Sequence, residues 1–261
     1  MNVVVCLKQV PGTTDVKIDP QTNNLIRSGI KNIINPFDTY ALEEGVRIKE
    51  RCGGKVTVIS MGPPQAEQML RESISLGADE AILLSDSAFA GADTWSTAYT
   101  LAAAINKLGQ YDIVICGRQT LDGDTGQVGP ELAEMLGIPL VAYVSRIEEI
   151  TDRQIQVRRM IDEGHEVIQS PLPAVITVTK EINVPRLPSL RGIARSNSAV
   201  IPVWNSQEMG IDPNKVGLSG SFTRVVKVFF PERTCQAEIL EGELTDQVDR
   251  LVDKLKAAGL V

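Results

Sequence analysis

Along its first 140 residues the chain alternates short apolar runs with longer stretches whose apolar positions recur at helical spacing. Residues 3–7 (VVVCL), 55–60 (KVTVIS), 80–84 and 111–116 (YDIVIC) have the length and β-branched content of buried strands. Residues 38–52 read as a helix stopped by Gly53-Gly54, glycines suited to a helix C-cap. A second helix opens at Pro63-Pro64, because proline is tolerated in a first turn, and ends at Gly77. A third is capped by Asp93 or Thr94 and runs to Leu108 before Gly109; a fourth ends near Gly137. Strand and helix alternating in this way predict an α/β fold: a doubly wound parallel sheet with helices on both faces. In such sheets ligands bind at the C-terminal ends of the strands.

After Pro139 the pattern changes. Residues 140–144, 154–160, 166–168 and 174–178 all read as strands, with Asp162-Glu163-Gly164 as a hairpin turn. The alternation in QIQVRR suits a half-buried antiparallel strand, so the sheet is expected to carry an antiparallel extension. Residues 183–205 contain three prolines, no acids, and Arg186, Arg191 and Arg195. They read as an exposed basic loop, either a solvated connector or a docking element, since Leu187, Leu190 and Ile193 have no evident core to join. Beyond Trp204 core signals are few until Val248, Leu251, Val252 and Leu255 mark an amphipathic helix, with acids towards its start and Lys254 and Lys256 near its end. The expected organisation is a domain over residues 1–205, including the basic segment 183–205, and a C-terminal arm over 206–261 that packs on its own domain or reaches to a partner.

Composition narrows the function. A net charge of −7 disfavours a general nucleic-acid groove, which needs a surplus of Lys and Arg. No apolar stretch approaches the roughly 18 residues needed to cross a bilayer, and the start of the chain lacks the features of a signal peptide, so no membrane insertion and a cytoplasmic location are expected. The four cysteines, Cys6, Cys52, Cys116 and Cys235, are scattered, which argues against a zinc site or a disulfide framework. Cys6 and Cys116 lie in apolar runs, where cysteine serves as a small hydrophobe. The single histidine, His165, has no nucleophile motif nearby, so no catalytic residue of the hydrolase kind and no metal ligand set is expected.

The most informative segment is residues 117–130, GRQTLDGDTGQVGP, which follows a buried strand and precedes a helix. It exceeds the roughly 2–6 residues of an ordinary strand-to-helix loop. Gly123, Gly126 and Gly129 let backbone approach a ligand, and a helix starting near Gln127 would aim N–H groups at a phosphate, with Thr125 and Gln127 adding hydrogen bonds. The segment matches neither common phosphate-loop motif, and a merely structural loop stays open on this reading. FAGADTWST (residues 89–97), Asn35-Pro36-Phe37-Asp38 and the end of the first strand at Cys6 occupy the same expected sheet edge. Together they point to one nucleotide cleft, with Asp93 capping its helix and Thr94 and Thr97 facing the ligand.

Residues 157–177, VRRMIDEGHEVIQSPLPAVIT, are similar to the beta-subunit signature of electron-transfer flavoproteins. The matching positions are Arg159, Asp162-Glu163-Gly164, Glu166, and Pro173 before Val175-Ile176. VCLKQVP, NPFD, SLGAD (residues 75–79) and QVGPELAEMLGIP fit as well, so the resemblance covers nearly the whole chain. It implies a fold of the adenine-nucleotide-binding type. It also implies a nucleotide held by Cys6, Asn35, Pro36, Phe37, Asp38, Met61 and the loop Gly117, Arg118, Gln119, Thr120, Leu121, Asp122, Gly123, Asp124, Thr125, Gly126, Gln127 and Val128. An alpha subunit carrying a second flavin in a mobile domain is implied as partner, with the C-terminal segment cradling that domain. The basic segment matches the family's recognition loop, with Leu190 as leucine anchor beside Arg191 and Arg195. The versions of FAGADTWST and DGDTGQVGP resemble those of bifurcating relatives. That implies FAD as cofactor, NADH as hydride donor, and ferredoxin or flavodoxin and an acyl-CoA dehydrogenase as electron partners. The alternative implied by other relatives is AMP in place of this FAD.

Overall fold

The computed structural model describes residues 1–12, 17–18, 25–26, 32–227 and 237–261. Cys235 lies outside them. By contacts the chain divides into two units, Met1–Val226 and Lys227–Val261.

The first unit is built on a nine-stranded sheet. Seven strands run parallel, in spatial order β9 (Leu140–Ile150), β12 (Ala174–Val178), β8 (Ile113–Gly117), β1 (Asn2–Cys6), β6 (Lys55–Met61), β7 (Glu80–Leu84) and β13 (Val203–Trp204). Beyond β9, the strands β10 (Gln154–Ile161) and β11 (Gly164–Pro171) add an antiparallel extension, joined by a tight turn at Asp162-Glu163. Two short ladders stand apart: β2 (Gln9–Pro11) with β5 (Asn32–Ile34), and β3 (Lys17–Ile18) with β4 (Leu25–Ile26).

The central strands are apolar on both sides because helices cover both faces. Val3 and Val5 of β1 point to one core, with α1 (Pro36–Cys52) and α2 (Glu67–Ser75). Val4 and Cys6 point to the other, with α3 (Thr94–Leu108) and α4 (Val128–Leu136). Most boundaries fall where chain chemistry puts them. Asp93 caps α3 by accepting from Ser96 N–H, and Gly137 closes α4 in the left-handed conformation at φ 66°. Among the described residues no helix is long and apolar enough to cross a membrane.

Residues 183–205 are not a loop throughout. They contain a helix, α5 (Leu190–Ser198), capped by Ser189, and end in β13, which pairs with β7 at the sheet edge. The prolines and the low apolar content hid this helix, whose stability comes from tertiary bonds rather than from a buried stripe. Arg195 donates to the carbonyls of Ile74 and Ala78, Arg71 reaches the carbonyls of Ser196 and Ala199, and Gly192 sits against the Ser75 backbone. Upstream, Asn183 bonds Glu44 and the Tyr40 carbonyl, and Arg186 bridges Glu43 and Glu50 of α1. Leu187 and Leu190 stand out from this packed segment, 87% and 88% exposed.

The first unit also extends past the expected limit at residue 205. α6 (Ser206–Met209) follows β13 behind an Asn205–Glu208 capping box, and Val216 is buried in the α3–α4 core. The second unit carries α7 (Leu244–Ala257), none of whose residues is buried; Lys254 and Glu238 form an ion pair at 2.8 Å.

The Arg186 bridge carries a measurable consequence. Glu43 is 5% exposed and accepts from Arg186 at 2.8 Å and Arg47 at 2.7 Å. Burial works against its ionisation, but these donors hold its carboxyl below the usual range. Arg186→Met takes the guanidinium from Glu43 and leaves it the Arg47 side chain and the backbone N–H of residue 186. Urea unfolding at neutral pH is expected to show a loss of about 2 kcal/mol, less than the 3–5 typical of a wholly stranded buried charge. An unchanged midpoint would mean the bridge only decorates the surface.

Candidate functional site: a cleft at the switch point of the sheet

From β1 the chain winds outward to β6 and β7, then returns on the other side of β1 at β8. At this reversal the connections leave β1 and β8 in opposite directions, opening a crevice above their C-terminal ends, the usual ligand position in open α/β sheets. Cys6 and Cys116 sit side by side at its floor in register. The hydrogen bond between the two thiols and burial push the Cys116 thiol well above its ordinary value. It therefore stays protonated and packs as a hydrophobe rather than acting as a nucleophile. Cys6, Cys52 and Cys116 are free thiols, and no metal-binding cluster occurs among the described residues. His165, on β11, does not line the cleft.

The cleft has a volume of about 900 Å³. That is near the top of the roughly 300–1,000 Å³ range of ligand pockets. The structure brings together from the expected set Cys6, Asp38, Met61, Asp93, Thr94 and Thr97, and, from the long loop, Gly117, Arg118, Gln119, Thr120, Asp122, Gly123, Thr125, Gly126, Gln127 and Val128. Gly117 is needed for close approach, since a Cβ there would collide with Asp38 and the Phe37 backbone.

Asn35, Pro36, Phe37, Leu121 and Asp124 do not line the cleft. Asn35 works beneath it: fully buried, it donates to the Gln119 carbonyl at 2.8 Å and accepts from Leu121 N–H at 3.2 Å. One amide thus fixes the long loop to the start of α1. Asp124 takes a left-handed φ of 52° and accepts from the Gln119 side chain, bracing the loop on itself. Lys8 adds a tie to Asp122 at 2.8 Å.

The two helices that open onto the cleft differ. α4 has Gln127 at its N-cap with no side-chain hydrogen bond, and Gln127, Val128 and Gly129 line the cleft, so its first N–H groups lie at the cleft without a side-chain acceptor. Gly129 lets α4 press on β12, for a Cβ would meet Thr177. The start of α3 is closed by Asp93, and Thr94 spends its hydroxyl on Glu131 of α4 at 3.0 Å.

The second oxygen of Asp93 does what composition could not reveal. It accepts from the N–H groups of Phe222 and Thr223 and from the Thr223 hydroxyl, while the Phe222 ring stands edge-on to Trp95 at 5.8 Å. Partial burial opposes ionisation of Asp93, but these donors and Ser96 N–H hold its carboxyl below the usual range. Phe222, Thr223, Arg224 and Val225 are thereby drawn to the cleft wall. Sequence reasoning missed them because they belong to no strand or helix, and nothing in SFTRVV announces a distant aspartate. Glu131 was missed for being one turn inside its helix.

Asp38 is the buried carboxyl of the floor. It accepts from Lys8 N–H at 2.7 Å, yet burial outweighs its hydrogen bonds and raises its pKa to about 7. A folded-state value above the unfolded one means stability that is full below about pH 4 and is lost as pH rises through about 7. Asp38→Asn removes that dependence. Unfolding free energies should match wild type near pH 4 and exceed it by a few kcal/mol at about pH 8. Parallel pH profiles for the two proteins would contradict this.

Residues 22–209 match the family description "Electron transfer flavoprotein domain". The chain is similar to the electron transfer flavoprotein subunit beta of Thermoanaerobacterium thermosaccharolyticum, 50% identical over 100% of both chains. It is 46% identical, again over 100% of both, to the caffeyl-CoA reductase-Etf complex subunit CarD of Acetobacterium woodii. It is 44% identical to protein FixA of Azotobacter vinelandii, over 94% of this chain and 90% of that one. With the nucleotide-type sheet and the cleft at its switch point, these likenesses show that the chain belongs to the electron transfer flavoprotein family, among its beta subunits.

Proposed function

We propose that this beta subunit binds FAD in the switch-point cleft, takes hydride from NADH, and works as half of a cytoplasmic heterodimer with an alpha subunit. Electrons leave singly, one to ferredoxin or flavodoxin and one through the alpha-subunit flavin to an acyl-CoA dehydrogenase. The observation that carries the cofactor reading is the uncapped start of α4, opening onto a cleft of about 900 Å³. When bound, FAD supplies the chemistry that this residue set lacks: two-electron oxidation of NADH joined to one-electron transfer. The chain's own groups bind and orient it. The N–H groups at Val128 and Gly129 and the flexible backbone at Gly123 and Gly126 suit a phosphate, and Arg118 supplies positive charge. The apolar floor at Cys6, Met61 and Leu101 excludes water. The relative named as part of a caffeyl-CoA reductase-Etf complex supports a reductase partner for this subunit too.

A second reading, AMP in the same cleft with electrons shuttled from acyl-CoA dehydrogenases, draws support from α3. Its cap is closed by Asp93 and its Thr94 hydroxyl is engaged by Glu131, leaving less for a second phosphate. Acid release of nucleotides from the heterodimer separates the readings. Two FAD and no AMP per heterodimer are expected, and one FAD with one AMP overturns the proposal.

The exposed Leu190 is proposed as the docking anchor, with Arg191 beside it; Arg195, bonded within the chain, braces α5. Leu190→Ala is expected to weaken docking to an acyl-CoA dehydrogenase by about 2 kcal/mol. Flavin content should stay unchanged. Electron transfer that is unaffected at limiting partner concentration would remove the assignment.

A further inference from the structure

Tyr143 has a left-handed backbone, φ 60°, inside a strand. A bulky residue there is a conformational outlier, since such positions favour Gly or Asn. The register explains how it arises. Val141 pairs with Ile176 of β12, and Val144 pairs with Val178, so three steps on β9 oppose two on β12. The surplus residue makes a bulge, a device that re-aims a side chain. Neighbours hold it in place: Thr177 Oγ1 accepts from Tyr143 N–H at 3.0 Å, and the Val144 carbonyl accepts from both Thr179 N–H and its hydroxyl. The ring joins neither hydrophobic core. Its contact is the guanidinium of Arg118, whose carbon lies 4.9 Å from the ring centre.

Arg118 is the first residue of the long loop beyond β8, its N–H bonded to the Val178 carbonyl at 2.9 Å. Among the described residues its side chain forms no ion pair or hydrogen bond, whereas Lys8 across the cleft is committed to Asp122. A planar cation stacked on a ring keeps its N–H edge available to an anion, and arginine meets phosphate oxygens in a bidentate fashion.

We propose that Tyr143 is a positioning residue: the bulge turns its ring under Arg118, which is thereby held at the cleft wall to grip a phosphate of the bound nucleotide. The inference rests on the cleft being the nucleotide site. A bulge serving only to join the parallel and antiparallel parts of the sheet would need a residue tolerant of positive φ, not an exposed ring.

The test is calorimetric titration of ADP into the heterodimer after its beta-subunit nucleotide has been stripped. Tyr143→Phe, which keeps the ring, should bind like wild type. Tyr143→Asn, which tolerates the backbone but has no platform, should bind about fivefold more weakly. Its melting temperature should hold or rise, because strain is relieved. Arg118→Ala should lose more, and the double variant Tyr143→Asn/Arg118→Ala should be no worse than Arg118→Ala alone. Wild-type affinity in Tyr143→Asn, or additive losses in the double variant, overturns the inference while leaving the nucleotide site standing. Failure of stripped wild type to bind ADP instead removes the site itself, and the inference with it.

Discussion

The chain leaves β1 towards one edge of the sheet and returns at β8 on the other side, and the site depends on the gap this reversal opens. Two connections diverge there, so strand ends that would otherwise be covered are left open. The remaining parts answer to that opening. The Asn35 amide secures the long loop from below, Gly117 lets α1 approach β8, and Gly129 seats α4 on Thr177. α4 is then left without a side-chain cap at the mouth, its first donors at the crevice. The N–H groups that open a helix are met by side chains, water or ligands, and at the start of α4 no side chain caps them.

What the sequence makes legible follows from which interactions are local. α3 is bounded by Asp93 and Gly109, both visible beforehand, because capping and left-handed stops are set by neighbours in sequence. β12 and β8 could be recognised as unbroken apolar runs because strands buried on both faces need such runs. The long loop stood out by length and glycine content. α5 did not: its apolar side chains Leu190 and Ile193 are exposed and join no core, and it persists through Arg195 and Arg71 bonds between segments far apart in sequence. The wall at residues 222–225 was hidden for the same reason, since it depends on Asp93, about 130 positions earlier. The bulge at Tyr143 was invisible too, because one extra residue in a strand appears only when the partner strand is in view.

The aspartates illustrate how position decides chemistry. Asp93, with backbone donors around it, remains charged and ties two segments together. Asp38, buried at the cleft floor, has its pKa pushed up to about 7 by burial, so its protonation follows pH across the physiological range. The apolar faces of α5 and α7 play another part. Leu190 and the Val248–Leu251–Val252 stripe are exposed, and a beta subunit that works in a complex has uses for such surfaces.

On the proposed reading, the N-terminus of α4 receives a phosphate of a bound dinucleotide. The most direct measurement is an experimental density map of the heterodimer purified with its native nucleotides. Pyrophosphate density is expected against Val128 and Gly129, with the molecule continuing along the cleft to an isoalloxazine ring. Density for a nucleotide bound elsewhere, or a cleft holding a single phosphate and ending at ribose, would contradict it.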